Sequence, residues 1–138
     1  MSRKSDRQHA FCLIFWRDFN EGSDEADTFE YYMENFAEEA ASEPDFILGE
    51  VRGVYANLDT IDDHIAKALA AWDISRISKV DLSIMRLAVY EILFDNSIGC
   101  GISINEAVEL AKTFSTEDGG KYINGVLGTI VRSLNASV

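Results

Sequence analysis

Apolar positions in this chain recur three and four residues apart and nowhere alternate strictly, which predicts an all-α protein of about seven helices. The first is expected over about residues 5–20, with Ala10, Leu13 and Ile14 on one side, Phe11 and Phe15 four apart, and a stop at the turn 20–22. Ser23 or Asp24 is suited to cap a second helix reaching about Ala41, whose stripe is Phe29, Met33, Phe36 and Ala40. Pro44, the one proline, fits a first helical turn, where its missing N–H costs nothing, and opens a third helix with Ile47, Leu48, Val51, Val54 and Tyr55 inward. A break is expected at 57–59, with Asp59 capping a fourth helix that carries Ile61, Ile65, Ala68, Leu69 and Trp72. The stretch 73–78 reads as the boundary between two sub-bundles of a single domain 1–138, at about 1–73 and 78–138.

Beyond that boundary, Ser78 is placed to cap a long helix through about Phe94, along which Val80, Ile84, Leu87, Ala88, Glu91 and Ile92 step at helical spacing. The glycine-containing loop 96–101 follows. Ser103 and Glu106 have the spacing of a capping box, in which each side chain satisfies an orphan N–H at a helix start, and this helix is expected to reach Phe114. Ser115 or Thr116 can cap the last helix. Gly125 and Gly128 fall one turn apart on it, an arrangement that predicts a close helix–helix approach at a propensity cost of about 1 kcal/mol each.

At 138 residues the chain can bury enough apolar surface to fold without disulfides or metal. It has no uncharged apolar run long enough to span a membrane, and its start lacks the apolar stretch of a signal peptide, so a cytoplasmic protein is expected. Cys12 and Cys100 form no Cys-x-x-Cys pair and have only His9 and His64 as nitrogen ligands to draw on, which predicts two reduced thiols, no metal and no cofactor. The acid clusters at Glu38–Glu39, Asp62–Asp63 and Glu106 with Glu109 lack the paired Glu-x-x-His motifs of a di-iron bundle. With no phosphate loop or nucleophile elbow either, the chain does not read as an enzyme.

A net charge of −12 argues against nucleic acid until its distribution is considered. Residues 1–20 are net +2, residues 21–63 net −13 and residues 64–138 net −1. The acid is concentrated in one middle segment. A phosphate backbone feels charge within about 8–10 Å at ordinary salt, so a distant acidic face weakens RNA binding without forbidding it.

Three blocks carry a family resemblance: VDLSIMRLAVYE over 80–91, INEAVELAKTF over 104–114 and TEDGGKYINGVL over 116–127. With RKSDR over 3–7 and AFCLIF over 10–15, they resemble the NusB family of bacterial transcription antitermination factors. The start is less dense in arginine than is usual there and includes Asp6, and Trp16 stands where a polar residue is more common. The resemblance implies two packed three-helix-type bundles. It also implies a factor that binds boxA of nascent ribosomal RNA transcripts together with NusE, a small-subunit ribosomal protein, and supports read-through by RNA polymerase in an antitermination complex.

By the same resemblance, Arg3, Lys4 and Arg7 contact RNA phosphates, while Phe15 and Asp81 face the NusE partner. Their ordinary alternatives are a solvated basic terminus, a core phenylalanine, and a carboxylate favoured by the helix dipole. Lys121 and Tyr122 together offer a charge and a stacking ring to single-stranded RNA, unless the ring belongs to the core. Asp118 falls at the start of the last helix, where its carboxylate suits the dipole but opposes a phosphate arriving at Lys121 and Tyr122. Arg86, Tyr90 and Glu91 read as structural, with Glu106 or Glu109 the expected carboxylate for Arg86. The alternative function is a helical interaction adaptor or homodimer with little RNA binding of its own.

Overall fold

The structure, a computed structural model, describes residues 3–18, 25–35, 43–69 and 74–136, with the side chains of 25–28 and 136 excepted. Its helices are α1 (Arg3–Asp18), α2 (Glu25–Asn35), α3 (Pro44–Ala56), α4 (Leu58–Ala68), α5 (Lys79–Phe94), α6 (Cys100–Phe114) and α7 (Glu117–Ala136), with a 3-10 turn at Ile74–Arg76. The described residues contain no strand, and none of their helices is long and apolar enough to cross a membrane. The turn expected at 20–22, the cap at Ser23 or Asp24, and Phe36, Ala40 and Trp72 lie outside the described residues.

Helix α5 is the axis of the fold. It touches α1, α3, α4, α6 and α7, and every residue from Leu82 to Val89 is buried, as expected of a helix enclosed on all sides. Ile84, Met85 and Val89 meet Ala10 and Ile14 of α1, Ile47 and Val54 of α3, Ile61 and Ile65 of α4, and Ile123 and Leu127 of α7 in one buried cluster. Burial of each large aliphatic side chain contributes about 1.5–3 kcal/mol. The two sub-bundles expected from the sequence share this cluster through α5.

Several helix joints follow local chemistry. Pro44 occupies the first turn of α3. Ser78 Oγ accepts the Asp81 N–H at 3.1 Å at the start of α5, and Thr116 Oγ1 accepts the Gly119 N–H at 2.9 Å at the start of α7. The joint between α3 and α4 is tighter than the expected break at 57–59. Asn57 alone makes it, donating its side-chain amide to Gly53 O at 2.9 Å, and α4 begins at Leu58 with Asp59 in its first turn and not at its cap.

Three expectations are corrected by long-range partners. The capping box at Ser103 does not form: α6 begins earlier, at Cys100 after an extended Gly99, and buried Ser103 Oγ donates to Glu91 at 3.2 Å. Arg86 pairs with neither Glu106 nor Glu109. It points toward α4 and α1, donating to Asp62 Oδ1 and Oδ2 at 2.9 Å each and to Asp18 at 3.1 Å. Gly125 and Gly128 do not mark a helix crossing either, since a Cβ at Gly125 would meet open space and one at Gly128 only Arg132 of the same helix. The close approaches are at Gly53, directly under the Tyr90 ring, and at Gly119, where a Cβ would run into Ser115 Oγ and lie 3.2 Å from Asp81 Oδ1.

Candidate functional site

The N-terminal basic residues separate once α1 is packed. Arg3 is exposed on the α3 side, with its guanidinium carbon 3.7 Å from the Phe46 ring centre and an ion pair to Glu43 at 3.3 Å. Lys4, one residue on, lies on the α6 side with Nζ 3.9 Å from Glu109. Arg7 departs from the expectation of phosphate contact. It is 5% exposed, and its Nε donates to both carboxylate oxygens of Glu91, at 3.0 and 3.2 Å. One helical turn beyond Arg3, α1 has turned inward, so a side chain of the basic motif becomes part of the core.

Arg7 belongs to a buried polar cluster supplied by four helices: Arg7 of α1, Glu50 of α3, Glu91 of α5 and Ser103 of α6. Glu50 is 3% exposed and its Oε2 has no hydrogen-bond partner. Burial, then the facing Glu91, pushes its carboxyl up to about 9, with Arg7 pulling the other way. Glu50 is therefore protonated at neutral pH, which avoids a second buried negative charge beside a single guanidinium.

On the surface, Glu109 links two lysines. Lys112 lies 3.1 Å from its Oε1 and Lys4 approaches its Oε2. Lys112 in turn shares with Lys121 a groove of about 560 Å³ between α6 and α7. The result is a strip running from Lys4 through Lys112 to Lys121, with Glu109 and Glu117 as acidic neighbours. Lys112 was not singled out from the sequence. Its signal was present in the helical spacing of Gly101, Asn105, Val108 and Lys112, which forms one side of the groove.

Lys121 and Tyr122, expected to act together, diverge. Lys121 lines the α6–α7 groove, whereas half-exposed Tyr122 is close enough to Asp81 that, after burial, that carboxylate raises its phenol. Asp118 is exposed in the first turn of α7 beside Glu117. Asp81 accepts the Ser115 hydroxyl at 2.6 Å, tying the start of α5 to the α6–α7 joint.

A second surface is apolar. Phe15 lines a cleft of about 330 Å³ together with Trp16, Tyr31, Val80 and Phe114, of which Trp16 and Tyr31 are 50% and 58% exposed. Phe15 lies in this cleft, whereas Asp81, expected to share a partner surface with it, is not among the cleft's lining residues and is held by Ser115 at the α6–α7 joint. The exposed rings of Tyr31 and Phe114 were not foreseen as site residues. Among the described residues no group of His, Cys, Asp and Glu is placed to hold a metal ion.

Residues 4–132 match the model of the NusB family. The transcription antitermination protein NusB of Clostridium acetobutylicum is 41% identical over 133 residues, covering 96% of this chain and 97% of the relative. The fold superimposes on T. maritima NusB with a TM-score of 0.83 at 34% identity, covering 96% and 92% of the two chains. It superimposes equally on the crystal structure of antitermination factors NusB and NusE in complex with dsRNA, with a TM-score of 0.83 at 27% identity over 95% and 96% of the chains.

Proposed function

Because the chain belongs to the NusB family, we infer that it is a transcription antitermination factor that binds RNA together with NusE. The observation that carries this reading is the near-full-length agreement, in sequence and in fold, with antitermination proteins, one of them captured with NusE and RNA. Its RNA is the boxA element of ribosomal RNA transcripts, its setting the RNA polymerase antitermination complex in the cytoplasm.

The two surfaces divide the work. Arg3, Lys4 and Lys121 supply phosphate contacts, and Asp118 at the start of α7 limits how closely phosphate approaches Lys121. Arg7 takes no part, being enclosed with Glu91. Replacing Arg3 and Lys4 by alanine should flatten the dependence of log affinity on log salt by up to about 1.4 units, at about 0.7 per phosphate on a single strand. Titration of boxA RNA at several salt concentrations measures it, and an unchanged slope would remove the N-terminus from the RNA surface.

NusE takes the aromatic cleft, where exposed rings offer anchors, and reaches Asp81, whose carboxylate offers charge to a basic partner. Mixing the two proteins should give a single complex on a sizing column. Phe15→Ala should weaken it about tenfold or more, and Asp81→Lys should weaken it through charge reversal. Folded variants that bind NusE as tightly as the parent would place the partner elsewhere.

A further inference from the structure

We propose that the groove between α6 and α7 receives one unstacked base of the bound RNA and that the side-chain amides of Asn105 and Asn124 read its edge. This rests on the reading of the chain as an RNA-binding factor and adds a residue-level account of sequence preference.

The groove suits such a ligand in size and layout. Its volume of about 560 Å³ falls in the range of about 300–1,000 Å³ typical of small-ligand pockets. Ile104 and Val108 give it an apolar floor, on which the flat face of a base can rest. Buried Gly120 of α7 lies against Ala111 and Val108 of α6 and closes that floor. Lys112 and Lys121 stand toward the α6–α7 joint, where they can hold the phosphates on either side of the inserted nucleotide.

Asn105 and Asn124 are what distinguish the groove from a simple gap between helices. Both are exposed, one on each wall. Neither caps a helix: Asn105 is the sixth residue of α6 and Asn124 the eighth of α7. Asparagine inside a helix costs roughly half a kcal/mol relative to alanine, and packing gives nothing in return at an exposed position. Two such residues facing one another across a groove break the local rule without a structural gain, which is the signature of a functional position. An amide presents a donor beside an acceptor, the complement of the amino group and ring nitrogen on adenine, and the bidentate asparagine–adenine pair uses that match. Cytosine presents such a pair on one edge only, whereas adenine presents it on both its Watson–Crick and Hoogsteen edges and has the larger face for the apolar floor, so adenine is the base assigned to the groove.

The test uses the full chain with NusE and a boxA-type single-stranded RNA in which each adenine in turn is replaced by purine riboside, which keeps the ring and drops the amino group. One replacement should weaken binding to the parent protein about tenfold. In Asn105→Ala/Asn124→Ala, a variant that favours the helices, the unmodified RNA should bind about tenfold more weakly at unchanged salt slope, and the same replacement should cost less than twofold. Lys112→Ala/Lys121→Ala should instead weaken all the RNAs alike and flatten the slope by up to about 1.4 units. A double asparagine variant that keeps the sensitivity, or a parent that binds RNA with no sensitive adenine, overturns the proposal while leaving RNA binding intact. A parent that binds no RNA even with NusE overturns both. Loss of NusE binding by the asparagine variant in the absence of RNA would give the groove to the partner protein and overturn the base pocket.

Discussion

Replacing Arg7 by alanine is expected to destabilise the folded chain by about 3–5 kcal/mol, the usual cost of leaving one member of a buried ion pair without its partner. Glu91 is 1% exposed and takes both hydrogen bonds from Arg7 Nε, so the alanine variant leaves a buried carboxylate with only the neutral groups of Ser103 and Glu50 to donate to it. Against a total stability of about 5–15 kcal/mol for an ordinary domain, this threatens folding itself. Urea denaturation followed by circular dichroism measures the loss. Replacing both partners with apolar residues, Arg7→Met with Glu91→Leu, should recover most of it, because the penalty belongs to the orphaned charge and not to the missing attraction. A folded Arg7→Ala protein of parental stability that binds RNA more weakly would instead return Arg7 to the RNA surface.

Glu50→Gln is expected to reverse part of the chain's loss of stability with rising pH. The Glu50 carboxyl is held near 9 in the folded state against an ordinary value of 4.5, so between these values the folded state carries one more proton than the unfolded. The stabilisation linked to this group is complete below about pH 4.5 and is lost as pH rises through 9, at about 1.4 kcal/mol per unit. Between about pH 5 and pH 8 the parent should therefore lose on the order of 4 kcal/mol that the glutamine variant retains. Glutamine keeps the shape and can still donate to Glu91, but it does not titrate. The readout is the difference in unfolding free energy between the two proteins, which cancels the other titrating groups. A difference that stays flat from pH 5 to pH 8 would mean that Glu50 is not held protonated.

These two residues also show where sequence reasoning stops. Arg7 sits in a basic N-terminal run, and a linear reading gives it the role of its neighbours. Its inward direction depends on the rotation of α1 against α5, set by Ala10 and Ile14 meeting the buried face of the axis helix. Arg86 is the mirror case. That a mid-helix arginine needs a carboxylate follows from physics, but the choice of Asp18 and Asp62 over Glu106 depends on which neighbour lies on which side of α5. Lys121 and Tyr122 part for a still simpler reason: adjacent helical residues point about 100° apart, so a joint that places one in a groove turns the other toward Asp81.

The sequence by itself determined the all-helical class, the helix starts at Pro44 and Ser78, the last helix's start to within Ser115 or Thr116, and, through three spaced blocks, the family. Each of these is written locally, in apolar periodicity or in one side chain satisfying a backbone group a few residues away. The tertiary structure alone decided that Ser103 serves Glu91 and not its own helix start, and that the tight approaches fall at Gly53 and Gly119 and not at Gly125 and Gly128. It alone joined Lys4 to Lys112 and opened the α6–α7 groove. Periodicity fixes which face of a helix is apolar, but the partner that face meets, and the polar groups drawn in with it, depend on how all the helices around α5 divide its surface.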